Sequence, residues 1–472
     1  MMKILFVASE ASPFITSGGL GDVMGALPTA IASAEKDVEC EVILPFHQAI
    51  GDEYRKRMSK VLDITFYLSW RKTGASVYSL SWNGVTYYFV ENHYYFDRKH
   101  LYGEWDDGER FAFFSKAVLE FIRQRKSMPD ILHANDWQAA LAVIYLKTEY
   151  KHIREFSPIK TVFTIHNIEY QGQFDPSILG DVFAIDNSFF DILEWNGCIN
   201  LMKGALATAD FITTVSPSYS RELYSDEFSF GLSRMIEKIS NKFIGILNGI
   251  DYDAFSPENG RDIYLAYGIA DRKEGKAYNK RELQKELGLK IDSDIPMISM
   301  ITRLTAGKGV DLVIRSIDEI MQMNVQFVLL GTGDAKYEQI FEEIGLHYPN
   351  FKCLLCFDRS LSKRIYAASD IFLMPSKSEP CGLAQMIACS YGTLPLVRGV
   401  GGLRDSIIHN KNGFVFEDFD AHKMLSALAE ALKQYHAQSD FEKMCTNAKA
   451  SDFSWKNSAD TYIEMYESLI KR

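Results

Sequence analysis

The chain has 472 residues, too many for one core at roughly 150 residues per domain. Its 47% hydrophobic, 24% charged and 13% aromatic content excludes a disordered polymer and supplies material for two or three buried cores. Lys and Arg total 51 against 62 Asp and Glu, a formal charge of −11, which argues against a nucleic-acid or membrane partner and requires any anionic ligand to sit in a local cationic pocket.

In chain order, the opening apolar run meets Ser9 and Glu10 before it reaches the length of a signal-peptide core, so it reads as a first buried strand, Ile4–Ser9. Further strands are predicted at Glu41–Leu44, Val85–Val90, Ile131–His133, Thr161–Ile165 and Phe211–Val215. Helices are predicted at Asp22–Ser33, Glu109–Arg123, Trp137–Thr148 and Pro217–Leu223. A strand-like Phe243–Leu247 then ends in the Asn-Gly turn signal of Asn248-Gly249-Ile250-Asp251, which marks the hinge. A polar stretch from Ser256 to Lys290 leads to a second series of strands at Pro296–Ile301, Gln326–Gly331, Phe351–Cys356, Ile371–Pro375, Leu394–Arg398 and Gly413–Phe416. A last amphipathic helix begins near Phe453-Ser454-Trp455 and carries Tyr462 and Tyr466 on one side.

Apolar strands alternating with helices are the pattern of doubly wound α/β sheets. The expectation is therefore a Rossmann-like domain over 1–247, a second over 248–452 and a C-terminal helix over 453–472 that returns to the first. Such sheets bind ligands beyond the carboxyl ends of their strands, which places the expected site in a cleft where two domains face each other. No apolar run approaches the roughly 20 residues needed to cross a bilayer, and the seven cysteines read as free thiols of a cytoplasmic protein. Cys353 and Cys356 have zinc-like spacing without a second pair, and three Asp-x-Asp pairs lie in turn-like contexts, so no residue is assigned to a metal.

Five motifs stand at predicted strand ends. Thr16-Ser17-Gly18-Gly19-Leu20-Gly21-Asp22 opens the first helix, where glycines let backbone N–H groups approach a phosphate or a sugar oxygen, although a tight turn explains a glycine pair equally well. Its spacing is not the G-x-G-x-x-G of dinucleotide folds. His133-Ala134-Asn135-Asp136-Trp137 and His166-Asn167 put polar side chains at the ends of otherwise apolar strands; Asp136 by itself also reads as a helix N-cap. Arg303 and Lys308, set among Gly307 and Gly309, offer two cations able to neutralise a diphosphate. Glu379-Pro380-Cys381-Gly382-Leu383 combines a carboxylate for sugar hydroxyls with backbone amides at a helix start for phosphate oxygens, and Gly401-Gly402-Leu403 repeats the strand-then-glycine arrangement.

Taken together, in order and spacing from residue 2 to the last helix, these motifs resemble bacterial glycogen synthases and plant starch synthases. The resemblance implies the GT-B architecture of two Rossmann-like domains and transfer of glucose from ADP-glucose to the non-reducing 4-hydroxyl of an α-1,4-glucan, with retention and without a required metal or other cofactor. It implies that Arg303 and Lys308 bind the donor diphosphate, that Glu379 contacts the donor, and that His166 and Asp136 line the glucose pocket. By the same resemblance Phe357 stands where an aromatic ring meets the adenine, and Thr16, Gly18, Gly19, Asp22, Asn167, Asn248, Cys381, Gly382 and Leu383 complete the substrate contacts.

Three positions depart from the family pattern. Thr16 replaces the lysine of a Lys-Thr-Gly-Gly signature, Gly307 stands where Gln often precedes the second-domain lysine, and Val400 replaces a Thr ahead of Gly401-Gly402. The loss of a cation at position 16 leaves two other readings open: an attenuated or inactive glucan-binding paralogue, and a GT-B enzyme that uses a UDP-sugar.

Overall fold

A computed structural model of the chain describes residues 1–471. It divides into two compact units, one of Met1–Gly249 together with the segment from Trp455 onward, the other of Ile250–Ser454.

The first unit holds strands β1 (Met2–Val7), β2 (Val38–Pro45), β3 (Ser59–Leu68), β4 (Arg71–Trp82), β5 (Val85–Glu91), β6 (Ile131–Asn135), β7 (Lys160–Ile165), β8 (Gln173–Phe174), β9 (Glu194–Trp195), β10 (Cys198–Asn200), β11 (Phe211–Thr214) and β12 (Phe243–Gly245). Nine of them form one sheet in the order β12-β11-β7-β6-β1-β2-β5-β4-β3. It is parallel from β12 to β5, and β4 and β3 add an antiparallel hairpin at its edge. The central strands are buried on both faces, as Ile4, Leu5, Phe6 and Val7 of β1 show, so they appear in the sequence as unbroken apolar runs. The hairpin differs: Ile64, Phe66 and Leu68 point inward while Asp63, Thr65 and Tyr67 face water. That alternation is the mark of a strand covered on one side only, and it leaves no unbroken apolar run in the sequence. The short strands β8, β10 and β9 form a separate antiparallel sheet, which also carries no long apolar run.

The second unit holds β13 (Met297–Ile301), β14 (Gln326–Leu330), β15 (Phe351–Leu354), β16 (Ile371–Met374), β17 (Leu394–Arg398) and β18 (Phe414–Phe416), all parallel in the order β15-β14-β13-β16-β17-β18. β15 ends at Leu354, two residues short of the expected strand, which leaves Cys356 exposed in the following turn and Cys353 half-buried.

The polar stretch before this sheet is not a linker. Arg272–Glu286 is a helix whose inward face is itself polar. Lys276 donates to the carbonyls of Tyr366 and Ala367 and to Thr393 Oγ1, Lys280 pairs with Asp370, and Asn279 is bonded to the backbone of Tyr264 and Leu265. Each buried polar group is matched, so the helix docks with little apolar stripe to betray it.

The terminal helix, Lys456–Ile470, belongs to the first unit. Trp455, Ala459, Tyr462, Met465, Tyr466 and Leu469 pack into the same core as Ile4, Phe6, Met24 and Leu27.

Candidate active site

Each unit gathers its predicted site residues at the carboxyl ends of its own parallel strands. In the first unit β1 runs through Ser9 and Glu10 into the glycine turn, and the helix Gly19–Ala34 starts three residues earlier than its apolar pattern suggests. The Glu10 carboxylate, buried, accepts the Ser17 N–H and fixes the turn. Thr16 Oγ1 donates to the Gly18 carbonyl at 3.1 Å. Gly18 is extended rather than left-handed, and a side chain at Gly18 or Gly19 would meet nothing within 4 Å. Their lack of a side chain therefore leaves open space over backbone N–H groups. Gly21 answers a packing demand instead, because a Cβ there would run into Thr16.

Asp136 follows β6 with φ of +58°, a left-handed backbone that a non-glycine residue adopts at a cost of about 1–3 kcal/mol and that clusters at functional sites. The sequence left it open as a helix cap. In the structure its side chain caps nothing in the helix Trp137–Lys147; Asp136 Oδ1 instead accepts the N–H of His166 at 2.8 Å and of Asn167 at 3.4 Å, across from the end of β7. His166 Nε2 lies 2.9 Å from Asn135 Oδ1, and the Asn135 amide nitrogen donates to the Val7 and His133 carbonyls, which makes Oδ1 the acceptor and assigns the His166 proton to Nε2. Nδ1 is then the ring's free lone pair. Burial pushes His166 down to about 3, so the ring is neutral at physiological pH.

Burial also raises Asp136 and Glu10, each to about 7; Asp22 raises Glu10 further, and Glu10 raises Asp136. Asp22 itself stands in the first helical turn, partly exposed. Two residues here carry roles that the motif reading did not give them. Glu10 braces the turn, and Tyr102, from a loop with no motif of its own, sets its hydroxyl 2.7 Å from Ser9 Oγ. His133, part of a motif, points away from the others: Nδ1 pairs with Tyr466 Oη at 2.6 Å and Nε2 with Thr164 Oγ1 at 2.5 Å, a packing role. Asn248 is buried, bonded through its N–H to the Val215 carbonyl, with side-chain Oδ1 lacking a partner among the described residues.

In the second unit the loop after β13 turns through Ala306–Lys308 to Gly309, whose φ is +72° and whose Cβ would strike the Pro375 carbonyl. This glycine brings Lys308 against the loop after β16. Lys308 Nζ donates to both oxygens of buried Glu379, at 2.8 and 2.6 Å, and Ser376 Oγ donates to Glu379 Oε2 at 3.0 Å. The Lys377 N–H closes the two loops together on the Gly307 carbonyl. Arg303, earlier in the loop that follows β13, is exposed. Gly401, with φ of +48°, and Gly402 pack so tightly on the Glu379–Cys381 turn that a Cβ at either would strike a carbonyl of that turn. Cys381 is buried; Gly382, with φ of +71°, and Leu383 are partly exposed just before the helix Ala384–Ser390. Phe357, 76% exposed, offers a free ring beyond β15.

An uncharged imidazole, two carboxylates and open backbone amides in one unit suit a sugar. A lysine and an arginine with a buried carboxylate in the other suit a charged leaving group and its hydroxyls. Among the described residues no helix is long and apolar enough to cross a membrane.

The family model of the starch synthase catalytic domain matches residues 3–238, and that of glycosyl transferases group 1 matches 281–450. The chain is 44% identical to the glycogen synthase of Streptococcus mutans, over 99% of this chain and 100% of that one, and 42% identical to that of Geobacillus thermodenitrificans, over 100% and 98%. It superposes on the catalytic domain of starch synthase IV from Arabidopsis thaliana, solved with ADP and acarbose, with a TM-score of 0.93 at 33% identity over the full length of both chains. Sucrose-phosphate synthase from Thermosynechococcus elongatus, at 16% identity and a TM-score of 0.64, shares the fold. Matched end to end and in both units, the chain belongs to the glycogen and starch synthase family of glycosyltransferases.

Proposed function

We propose that the protein transfers glucose from ADP-glucose to the non-reducing 4-hydroxyl of an α-1,4-glucan, glycogen or a maltooligosaccharide, with retention at the anomeric carbon and without a metal. The observation that carries this reading is the Lys308–Glu379 pair, a lysine held by both carboxylate oxygens on two interlocked loops. Support comes from the glycogen synthase relatives and from the starch synthase solved with ADP and acarbose, a nucleoside diphosphate and an oligosaccharide analogue.

Glycosyl transfer builds positive charge on the sugar ring and negative charge on the departing diphosphate. Lys308 and Arg303 answer the second, and Glu379 holds Lys308 aimed before the donor arrives, so little reorganisation is needed during the reaction. Phe357 provides a face for the adenine, and the amides near Gly382 and Leu383 provide donors for phosphate oxygens. In the first unit neutral His166 accepts a sugar hydroxyl at Nδ1, while Asp136 holds the backbone of His166 and Asn167 in place. Asp22, Asn167, Asn248, Cys381 and the Gly18–Gly19 turn complete the contacts, with Thr16 in the place of the family lysine.

Labelled ADP-glucose and glycogen incubated with the protein give incorporation into polymer, at an unchanged rate in chelator. No incorporation by a folded sample overturns the reading, and faster turnover of UDP-glucose overturns the donor assignment. The inactive paralogue weighed on Thr16 alone is not favoured, because the likeness to the synthases runs the full length of the chain.

A further inference from the structure

Gln385, fully buried in the helix Ala384–Ser390, turns its side chain back on the segment that precedes it. Its amide nitrogen donates to the Gly382 carbonyl at 2.7 Å, to the Cys381 carbonyl at 3.1 Å and to Ser406 Oγ at 3.0 Å. Ser406 Oγ directs its own hydrogen to the Gly402 carbonyl at 2.7 Å, so towards Gln385 it acts as an acceptor. Three acceptors around one atom fix which end of the amide is the nitrogen. The oxygen, Oε1, has no partner among the described residues and lies where a Cβ on Gly382 would come within 2.5 Å of it. A buried acceptor without a partner is destabilising, so packing alone gives no reason for a glutamine at this position.

The two carbonyls matter for what shares their peptide planes. In a trans peptide the C=O and the N–H that follows it point in opposite directions. The Cys381 carbonyl is thereby tied to the Gly382 N–H, and the Gly382 carbonyl to the Leu383 N–H. Holding both carbonyls against Gln385 turns both N–H groups away from it, and neither meets an acceptor among the described residues. These are the amides assigned above to phosphate oxygens. Gly382 makes a pin necessary: with φ of +71° and no Cβ, it joins two peptide planes that can rotate at little steric cost. A rotated plane would aim a carbonyl dipole at the phosphate where an N–H is needed, reversing the sign of the interaction.

We infer that Gln385 is a positioning residue for donor binding: its amide pins the Cys381 and Gly382 carbonyls so that the Gly382 and Leu383 N–H groups stay aimed at the diphosphate. The inference rests on the phosphate contact proposed above, and ADP binding tests it apart from transfer. Calorimetric titration of the full chain with ADP is run beside steady-state kinetics on ADP-glucose and maltotriose. Gln385→Met, similar in length but without a donor, weakens ADP binding and raises the KM for ADP-glucose, each about ten-fold, while the KM for maltotriose holds. Gln385→Leu also lacks the donor, gives the same loss, and carries the test should the first variant fail to fold. Ser406→Ala is the control, because it removes a buried hydrogen bond of the same network yet leaves both amide hydrogens of Gln385 to the two carbonyls. It lowers the melting temperature and keeps the wild-type affinity for ADP. Unchanged ADP affinity in a folded Gln385 variant overturns the inference, as does an equal loss in Ser406→Ala, the sign of a general packing effect. A wild type that binds ADP through Gln385 yet transfers no glucose sustains the positioning role and defeats the transferase reading, so the two fail separately.

Discussion

Lys308 has two partners in prospect, the carboxylate it already holds and the diphosphate it is aimed at. Removing it leaves buried Glu379 without its counter-ion and the leaving group without a donor. Loss of one preorganised donor at a developing charge costs about 3 kcal/mol, so Lys308→Ala lowers kcat about a hundred-fold. Glu379→Gln separates the two effects: it keeps a hydrogen bond to Lys308 but removes the charge, and raises the KM for ADP-glucose more than Ser376→Ala does. Steady-state kinetics with varied donor reads both. Thr16 makes the opposite test, a cation gained. A lysine there keeps the Cβ that packs over Gly21 and extends into the open space above Gly18 and Gly19. Charge-assisted contact with phosphate is worth about 1.5–3 kcal/mol, so Thr16→Lys lowers the KM for ADP-glucose about ten-fold or more; an unchanged KM and kcat would remove position 16 from the donor site.

Glu10 carries a prediction about pH. Its carboxyl is raised from 4.5 to about 7 in the folded protein, so between those values the folded state binds the proton more tightly than the unfolded one. Stability from this group is therefore present below pH 4.5 and lost as pH rises to 7. The histidines His47, His133 and His166 are lowered and act in the other direction below their ordinary value, so the whole-protein curve mixes both signs. The difference between wild type and Glu10→Gln isolates one group: Gln keeps an acceptor for the Ser17 N–H, and the variant gains roughly 1–3 kcal/mol relative to wild type between pH 4.5 and 7. Urea midpoints across that range measure it, and a flat difference refutes it.

At the level of elements, legibility followed burial. β1, β6, β7 and β13 are dry on both faces and announce themselves as apolar runs, and the turns after them announce the site through glycine and charge. The helix Arg272–Glu286 hid because Lys276, Asn279 and Lys280 replace an apolar stripe with matched polar contacts, β3 hid because alternate residues face water, and β4 because only Ala75, Val77 and Leu80 of it are fully buried. The same distinction applies within the site. Asp136 and Lys308 lie in motifs, whereas Tyr102 reaches Ser9 from a loop 93 residues away, a proximity that only the fold creates. The loop after β13 gives the element-scale prediction. Gly309 needs a left-handed backbone and touches the Pro375 carbonyl, so Gly309→Ala forces the Lys308 loop away from the Glu379 loop. It costs about 1–3 kcal/mol in stability and lowers kcat nearly as far as Lys308→Ala. Full activity with normal stability would show that the loop tolerates the shift.

The two units differ in how the chain builds them. Ile250–Ser454 is one continuous segment with its own six-stranded parallel sheet, while the first unit is closed by a helix that arrives only after the second is complete. That helix contributes Trp455, Tyr462, Met465, Tyr466 and Leu469 to the core around Ile4 and Phe6, and the Tyr466 hydroxyl satisfies buried His133. At about 1.5–3 kcal/mol for each large apolar side chain buried, the helix accounts for on the order of 10 kcal/mol. That is comparable with the entire stability of an ordinary domain. A chain ending at Ser454 therefore loses the folded first unit and keeps the second. Hydrogen exchange followed by mass spectrometry reads each separately: amides of β1, β6 and β7 lose protection in the truncated chain while those of β13, β14 and β16 retain it. Tyr466→Phe is the mild counterpart, leaving one His133 nitrogen unpaired at a cost of about 1–3 kcal/mol, read as faster exchange confined to the first unit. Wild-type protection of β1 in the truncated chain would mean that the first core closes without its last helix.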